Sequence, residues 1–321
     1  MIPEPHYKKY TGAALQAYNK PFDLDPYFPS EGLKRAVEVA RLLQRPLLLR
    51  GEPGSGKTRL AEALAFELHR EKYTHFYLRW NIKSTTKAQD GLYVYDHLRR
   101  LRDVQDTNKS EEVIKKIRYW ELGPIGEAFV RSGKEAPPPV LLIDEIDKAD
   151  IDFPNDLLDV LEGRSKKFTI KETGEEIVAE QSPIVIITSN DEKELPNAFL
   201  RRCVFFFIPF PSYDDLLRIA RANVAKLMEG AIEDTLIQPL VKTFRQTYEE
   251  MKENPNTDKR PSTSELLDWL RVIAFYKPQE TGAVEIGKEG ELIFADGKIL
   301  YPEVLFKSFD DWKTQLGEDY I

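Results

Sequence analysis

The sequence predicts an α/β fold in which helices cover both faces of a mostly parallel sheet, followed by a smaller, mainly helical unit. Up to residue 211, short apolar segments alternate with amphipathic helices, and a glycine-rich loop joins the first such segment to the next helix. After Pro211 the pattern changes to amphipathic helices. We therefore expect an N-terminal arm at 1–30, a large α/β domain at 31–211 and a small helical domain at 212–321.

The α/β domain begins with a helix, a strand, the glycine loop and a second helix. Apolar residues recur at helical spacing over 31–43. A proline and a glycine then enclose the apolar run 47–50, which is typical of a buried strand. Helical spacing returns over 58–70, and the alternation over 73–80 predicts a second strand.

The rest of this domain contains three further apolar runs, at 140–143, 184–187 and 204–208. The first two are apolar throughout, and such strands are covered on both faces, as in a parallel sheet. The segment 166–180 surrounds a Thr-Gly turn and predicts a β-hairpin. The charged stretch 89–105 is expected to be helical and partly inserted between core elements.

Composition and charge exclude several classes of protein. The chain carries a net charge of −8, which disfavours a dedicated surface for duplex nucleic acid. It has no long apolar run, so we expect no membrane span. Its first residues lack the apolar stretch of a signal peptide, so we expect a cytoplasmic protein. The single cysteine, Cys203, excludes an internal disulfide and a cysteine zinc cluster.

The glycine-rich loop matches the pattern G-x-x-x-x-G-K-[ST] between a strand and a helix. Its residues are Gly51, Glu52, Pro53, Gly54, Ser55, Gly56, Lys57 and Thr58. The glycines allow a tight turn whose backbone N–H groups point at phosphates, at the positive end of the helix dipole. Lys57 is expected to contact the β- and γ-phosphates, and the Thr58 hydroxyl to bind Mg²⁺. The loop therefore predicts a nucleoside triphosphate site.

Polar residues follow two of the apolar runs. Asp144 is expected to hold Mg²⁺ through water, and Glu145 to orient and activate the attacking water. Asp147 is either a supporting carboxylate or the start of the next helix, and we favour the helix start. Asn190 follows a strand that is expected to lie beside the other two, so its amide is predicted near the γ-phosphate.

Arg201 and Arg202 precede the last predicted strand. They are either a solvated surface pair or arginine fingers, which stabilise the charge on the phosphoryl group transferred in a neighbouring subunit. Because the phosphate loop and the carboxylates precede them in the chain, we favour the finger.

Together these motifs resemble the AAA+ superfamily of ATPases. The resemblance is carried by GEPGSGKT at 51–58, LLIDEID at 141–147, TSN at 188–190 and LRRC at 200–203. The phrases WELGPIG at 120–126 and LPNAFL at 195–200 resemble MoxR-type ATPases within that superfamily. The resemblance covers roughly residues 30–275.

The resemblance implies a P-loop core of three layers, α/β/α, around a mostly parallel five-stranded sheet. It places at 83–105 the insert that the family carries in what is counted there as its second helix, makes 166–180 the hairpin before sensor 1, and adds a small helical lid. Insert and hairpin are usually directed toward the pore or upper face of a ring, where substrate is engaged. Tyr93 and Tyr95 are equally candidates for substrate contact and for packing under the insert.

The resemblance also implies roles for individual residues. It implies ATP and Mg²⁺ as the bound groups, Asn190 as sensor 1, and Arg202 as the finger with Arg201 in reserve. Activity would need a ring, expected to be a hexamer, in which each finger completes its neighbour's site.

The sequence departs from the family at the lid helix. Relatives often carry an arginine, sensor 2, in the first turn of this helix, where Ser264 stands here. Either Lys259 or Arg260, just before the helix, takes that role, or the role is absent. Arg271 lies too far along the helix to replace it.

The motifs favour hydrolysis of ATP over the competing functions. A GTPase would need an Asn-Lys-x-Asp motif, and a transporter-type ATPase a Leu-Ser-Gly-Gly-Gln signature; both are missing. A nucleic-acid motor would use the arginines at 99, 100 and 102, but acidic neighbours balance them. A nucleotide-gated scaffold with little turnover stays open because of the missing sensor 2.

We therefore expect a Mg²⁺-dependent ATPase with a chaperone-like role, the remodelling or maturation of a protein complex. By the resemblance, the partner is a separate protein with a von Willebrand factor A domain. A nucleic-acid partner is not expected.

Overall fold

The computed structural model describes residues 7–106, 109–134, 136–161, 167–190, 192–227, 234–255, 257, 259–276, 282–287, 292–295 and 299–316. The chain divides into two compact units. The first comprises Met1–Thr11, Pro29–Gly51 and Lys57–Ile208, and the second Gly12–Phe28, Glu52–Gly56 and Pro209–Ile321. The domain limits inferred from the sequence stay predictions.

The first unit contains most of the helices and strands. In chain order they are α1 (Glu31–Leu43), β1 (Leu47–Arg50), α2 (Lys57–His69), α3 (Tyr73–Phe76), β2 (Tyr77–Asn81), β3 (Tyr93–Tyr95), α4 (His97–Gln105), α5 (Glu111–Lys116), β4 (Trp120–Leu122), α6 (Pro124–Arg131), β5 (Val140–Asp144), α7 (Phe153–Leu161), β6 (Lys167–Thr169), β7 (Glu176–Val178), β8 (Ile184–Ser189), α8 (Asn197–Leu200) and β9 (Val204–Phe207).

Five parallel strands form the central sheet in the order β2-β5-β8-β1-β9. Strands β5 and β8 are buried along their whole length, as their apolar sequences predict. One face, which includes Leu48, Ile143 and Ile187, packs on α6 and α7 through residues such as Phe129 and Leu157. Helices α1 and α2 contact β9 and β5. This is the three-layer α/β/α core that the sequence predicts.

The last strand, β9, lies at the edge of the sheet and is less buried than its apolar sequence indicates. Its residues alternate between half-buried and exposed, and Phe205 and Phe207 are each about half exposed. An edge strand pairs on one side only, so its apolar composition does not guarantee cover on both faces.

The stretch 89–105 differs in part from the expected helix. Tyr93–Tyr95 forms strand β3, which pairs antiparallel with β4, and a helix begins only at His97. The Tyr-Val-Tyr sequence suits a strand, and the partner needed to form it comes from a distant part of the chain. Likewise, the strand expected over 73–80 begins only at Tyr77, because Tyr73–Phe76 forms the short helix α3.

The predicted hairpin is present as the antiparallel pair β6–β7. Its first predicted residue, Lys166, lies outside the described residues. The hairpin packs on the insert, because Tyr93, Trp120 and Ile170 form one buried cluster. The Tyr93 hydroxyl donates to Glu172 Oε2 at 3.0 Å, and its side chain is 3% exposed. For Tyr93, the packing interpretation is therefore correct.

The second unit is mainly helical. Its elements are α9 (Tyr213–Leu227), α10 (Asp234–Glu253), α11 (Thr263–Tyr276), β10 (Val284–Ile286), β11 (Leu292–Phe294), α12 (Pro302–Leu305) and α13 (Phe309–Leu316). Trp269 lies at the centre of its core, fully buried, and its indole N–H donates to the Leu300 carbonyl at 2.7 Å. Ser212 caps α9, as the sequence predicts, by accepting from Asp215 N. No helix in the described ranges is long and apolar enough to cross a membrane.

Candidate functional site

Apart from Arg201 and Arg202, the predicted residues of the first unit meet at the carboxyl ends of β1, β5 and β8. A cavity of about 520 Å³ lies at the opposite edge of the same sheet, where Pro46, Pro138 and Pro183 precede these strands. None of the predicted site residues lines that cavity. We therefore place the candidate site at the carboxyl edge, where parallel α/β sheets bind ligands.

Lys57 is the first residue of α2, and its side chain is only 6% exposed. Its ammonium group donates to the Gly51 carbonyl at 2.7 Å, across the mouth of the glycine loop. A buried ammonium at the N-terminus of a helix adds its charge to that of the helix dipole. The positive charge of the ammonium group and that of the helix dipole both favour binding of an anion.

The Asp144 carboxylate is the centre of the site. Its Oδ1 accepts from the Thr188 hydroxyl at 2.6 Å and the Thr58 hydroxyl at 3.1 Å. Its Oδ2 accepts from Arg79 Nη2 at 2.6 Å. Strands β5 and β8 supply the acid and Thr188, α2 supplies Thr58, and β2 supplies Arg79.

Glu145 follows directly in the left-handed backbone region, at φ 61° and ψ 53°. This conformation is strained for a residue other than glycine. Its Oε1 accepts from the Asn190 side-chain amide at 3.2 Å. Its Oε2 pairs with Lys148 Nζ at 2.6 Å, and this hydrogen bond raises the pKa of Lys148.

Asp147 is a supporting carboxylate as well as part of a short helical turn at Ile146–Lys148. Its side chain is 2% exposed, and its Oδ2 accepts from the backbone N–H groups of Asn190 at 3.1 Å and Glu192 at 3.0 Å. These bonds fix the chain just beyond β8. The helix-start interpretation therefore holds, and the Asp147 carboxylate in addition bonds residues more than forty positions away in sequence.

The middle of the glycine loop, Glu52–Gly56, belongs to the second unit. Within that unit, Glu52 Oε1 pairs with Arg260 Nη2 at 2.9 Å, and Glu52 Oε2 accepts from the Tyr248 hydroxyl at 3.1 Å. Burial, with the nearby Glu52 carboxylate, raises the pKa of Tyr248 to about 12. Gly54 has φ +72°, and a Cβ there would lie 2.3 Å from the Ser262 hydroxyl oxygen. Pro53, Ser55 and Gly56 complete this segment.

Arg201 and Arg202 lie between α8 and β9, and both are exposed. Since β9 runs parallel to β1, they precede the sheet at its amino edge. A strand of this length spans about 13 Å. The two arginines are therefore at the edge opposite Lys57 of the same chain.

The donors at the carboxyl edge fit a magnesium ion and a phosphate chain. Thr58 and Asp144 offer hard oxygen ligands, which Mg²⁺ prefers, and Mg²⁺ commonly takes few protein ligands beside substrate phosphates and water. Among the described residues there is no cluster of three or more His, Cys, Asp or Glu side chains that could hold a metal alone. The set therefore suits a metal that arrives with a nucleotide.

Thr188, Arg79 and Lys148 are part of this network but were missed in the sequence. Thr188 carried a signal, since it is a polar residue at the end of an apolar run. Arg79 carried none, because its role depends on the pairing of β2 with β5.

Residues 47–211 match the family model described as ATPase family associated with various cellular activities (AAA). This segment is slightly more than half of the chain and contains the glycine loop, both carboxylates, Asn190 and both arginines. A search of curated proteins finds no match.

Replacing Asp147 by alanine should loosen the chain beyond β8. Two backbone N–H groups lose their charged acceptor, so we expect a loss of about 1–3 kcal/mol in the free energy of unfolding. Hydrogen exchange at the amides of Asn190 and Glu192 should accelerate about tenfold or more. Asp147→Asn, which keeps one carbonyl acceptor, should lose less, and the exposed Asp150→Ala is the control. Unchanged exchange at both amides would contradict the assignment.

Proposed function

Because the chain belongs to the AAA family of ATPases, we propose that it is a MoxR-like, Mg²⁺-dependent ATPase that remodels or matures a protein complex. One observation carries the hydrolytic part of the proposal. Glu145 and Asn190 hydrogen bond at 3.2 Å beside Asp144, which itself bonds Thr58 of the glycine loop. A binding module has no need of this arrangement.

In the proposed mechanism, the loop N–H groups and Lys57 hold the phosphates of ATP. Thr58 and Asp144 hold Mg²⁺, which when bound polarises the phosphate oxygens. Glu145 accepts a proton from the attacking water, and Asn190 orients the carboxylate that does so. For both carboxylate oxygens of Glu145 to be available, the ion pair between Lys148 and Glu145 Oε2 must break.

We propose that Arg202 acts on a neighbouring subunit, with Arg201 in reserve. Support comes from its position at the amino edge of the sheet, away from Lys57 and Asp144 of its own chain. An arginine there completes a site only across a subunit interface, and a closed ring, a hexamer in our proposal, supplies such an interface to every subunit.

For sensor 2 we propose Arg260 rather than Lys259. Its guanidinium already pairs with Glu52 of the glycine loop, one residue after the first glycine. Arginine is suited to this role because its planar group binds carboxylate and phosphate in similar geometry.

The surface of α4 supports a protein partner. Asp103 of this helix accepts from the Tyr119 hydroxyl at 2.9 Å, and the exposed Arg100 donates to the Tyr95 hydroxyl at 3.2 Å. Its apolar side chains, Leu98, Leu101 and Val104, are 66%, 54% and 59% exposed. An exposed apolar surface of this kind favours a protein ligand over nucleic acid. By the resemblance, we propose a partner with a von Willebrand factor A domain.

A nucleotide-gated scaffold with little turnover is the second candidate. The Lys148–Glu145 ion pair favours it, since it occupies one oxygen of the proposed base. In that case ATP would bind tightly and be hydrolysed at a rate near zero.

Replacing Glu145 by glutamine should lower ATP turnover about 10²- to 10⁴-fold, because glutamine cannot accept the proton. ATP affinity should be retained, and Lys57→Ala should lose affinity instead. Phosphate release and nucleotide binding measure the two effects. Wild-type turnover in the Glu145→Gln protein would refute the base assignment.

Mixing variants tests the shared site. Arg202→Ala subunits and Lys57→Ala subunits are each expected to be inactive, but mixed rings pair an intact finger with an intact loop, so activity should reappear with mixing ratio. Specific activity of the wild type should rise with protein concentration as oligomer mass increases. A rate that does not depend on mixing or concentration would contradict a finger acting between subunits.

The α4 surface is tested with Leu98→Ser/Leu101→Ser. Because both side chains are exposed, the free energy of unfolding should change by less than about 0.5 kcal/mol. Stimulation of ATP turnover by a purified protein with a von Willebrand factor A domain should fall. Val113→Ser, at an exposed apolar residue on α5, is the control. A large loss of stability would show that α4 is covered within the protein itself.

A further inference from the structure

The charge of Asp144 is already compensated in the structure. Its carboxylate is 7% exposed, and the hydroxyls of Thr58 and Thr188 give it neutral hydrogen bonds. The positive charge comes from Arg79, at 2.6 Å from Oδ2. A buried carboxylate without a counter-charge is costly, so this pair stabilises the site before any metal arrives.

The two partners differ in how firmly they are held. Asp144 is fixed by three donors, whereas the Arg79 side chain is 48% exposed. Arg79 lies on β2 opposite Leu142, so its side chain extends along the sheet to reach the end of β5. Its Nε donates to Asn81 Oδ1 at 2.8 Å, which orients the guanidinium toward the acid. A half-exposed arginine can leave this position without disturbing the core.

We propose that Arg79 is a displaceable counter-cation for Asp144, a positioning residue that sets the metal dependence of nucleotide binding. The inference rests on the proposed function, in which Asp144 holds Mg²⁺. The metal and the guanidinium both require the Asp144 carboxylate, so binding of the metal displaces Arg79 from Oδ2.

Two effects then act in the same direction. Without metal, Arg79 screens the repulsion between Asp144 and the phosphates, which helps nucleotide to bind. With metal, Arg79 competes for Asp144, which weakens binding of the metal complex. Arg79 therefore reduces the difference in nucleotide affinity between the two conditions.

The test measures binding of a fluorescent ADP analogue, in which turnover plays no part, in excess Mg²⁺ and in EDTA. In Arg79→Gln, the ratio of the two dissociation constants, EDTA over Mg²⁺, should rise about fivefold over the wild type, as expected for loss of a partly exposed ion pair. Arg79→Lys keeps the charge and should give a smaller rise. Arg131→Gln, which removes an ion pair with Glu127 at 2.8 Å on α6, should leave the ratio unchanged.

An unchanged or lower ratio in Arg79→Gln would overturn the inference. So would a rise of the same size in an Asp144→Asn background, where Arg79 has no carboxylate to compensate and the second substitution should have no effect. The proposed function fails separately, and the inference with it, if the wild type does not bind the analogue or if Lys57→Ala binds it equally well. Thermal unfolding of each variant confirms that it folds.

Discussion

The candidate site depends on the parallel pairing of β5 with β8. Ile143 lies opposite Ile187, so the next residues, Asp144 and Thr188, are brought side by side. The Thr188 hydroxyl then bonds both sides of the β5 tip, donating to Asp144 and accepting from the Glu145 N–H. A shift of one residue would separate these groups and turn buried side chains to the opposite face. Because both strands are apolar on both faces, the hydrogen bonds of Thr188 at their ends are what distinguish this register from its neighbours.

Much of the fold and of the site could be predicted because the signals are local. Each of these signals consists of residues that are neighbours in the sequence: the glycine loop, each apolar run, and the carboxylates at 144 and 145. The order of elements around them was enough to predict a parallel sheet, and the structure confirms it. The roles assigned to these residues stay predictions until activity is measured.

The rest depended on neighbours that a linear pattern does not reveal. Arg79 meets Asp144 only because β2 lies beside β5, and Tyr93 becomes a strand residue only because Trp120–Leu122 pairs with its segment. The local sequence predicts the helix start at Asp147, but not the hydrogen bonds that its carboxylate accepts from the chain beyond β8. In each case a contact distant in sequence decided the structure.

The left-handed backbone of Glu145 determines which substitution at this position would stabilise the protein. The left-handed backbone conformation costs a residue other than glycine roughly 1–2 kcal/mol, so glycine at this position would relieve the strain. Glycine would also remove the carboxylate that Asn190 and Lys148 contact. Under the proposed function, stability and ATP turnover therefore favour different residues at this position. Selection for heat resistance alone, without a test of ATP turnover, would therefore favour variants that lack the proposed base.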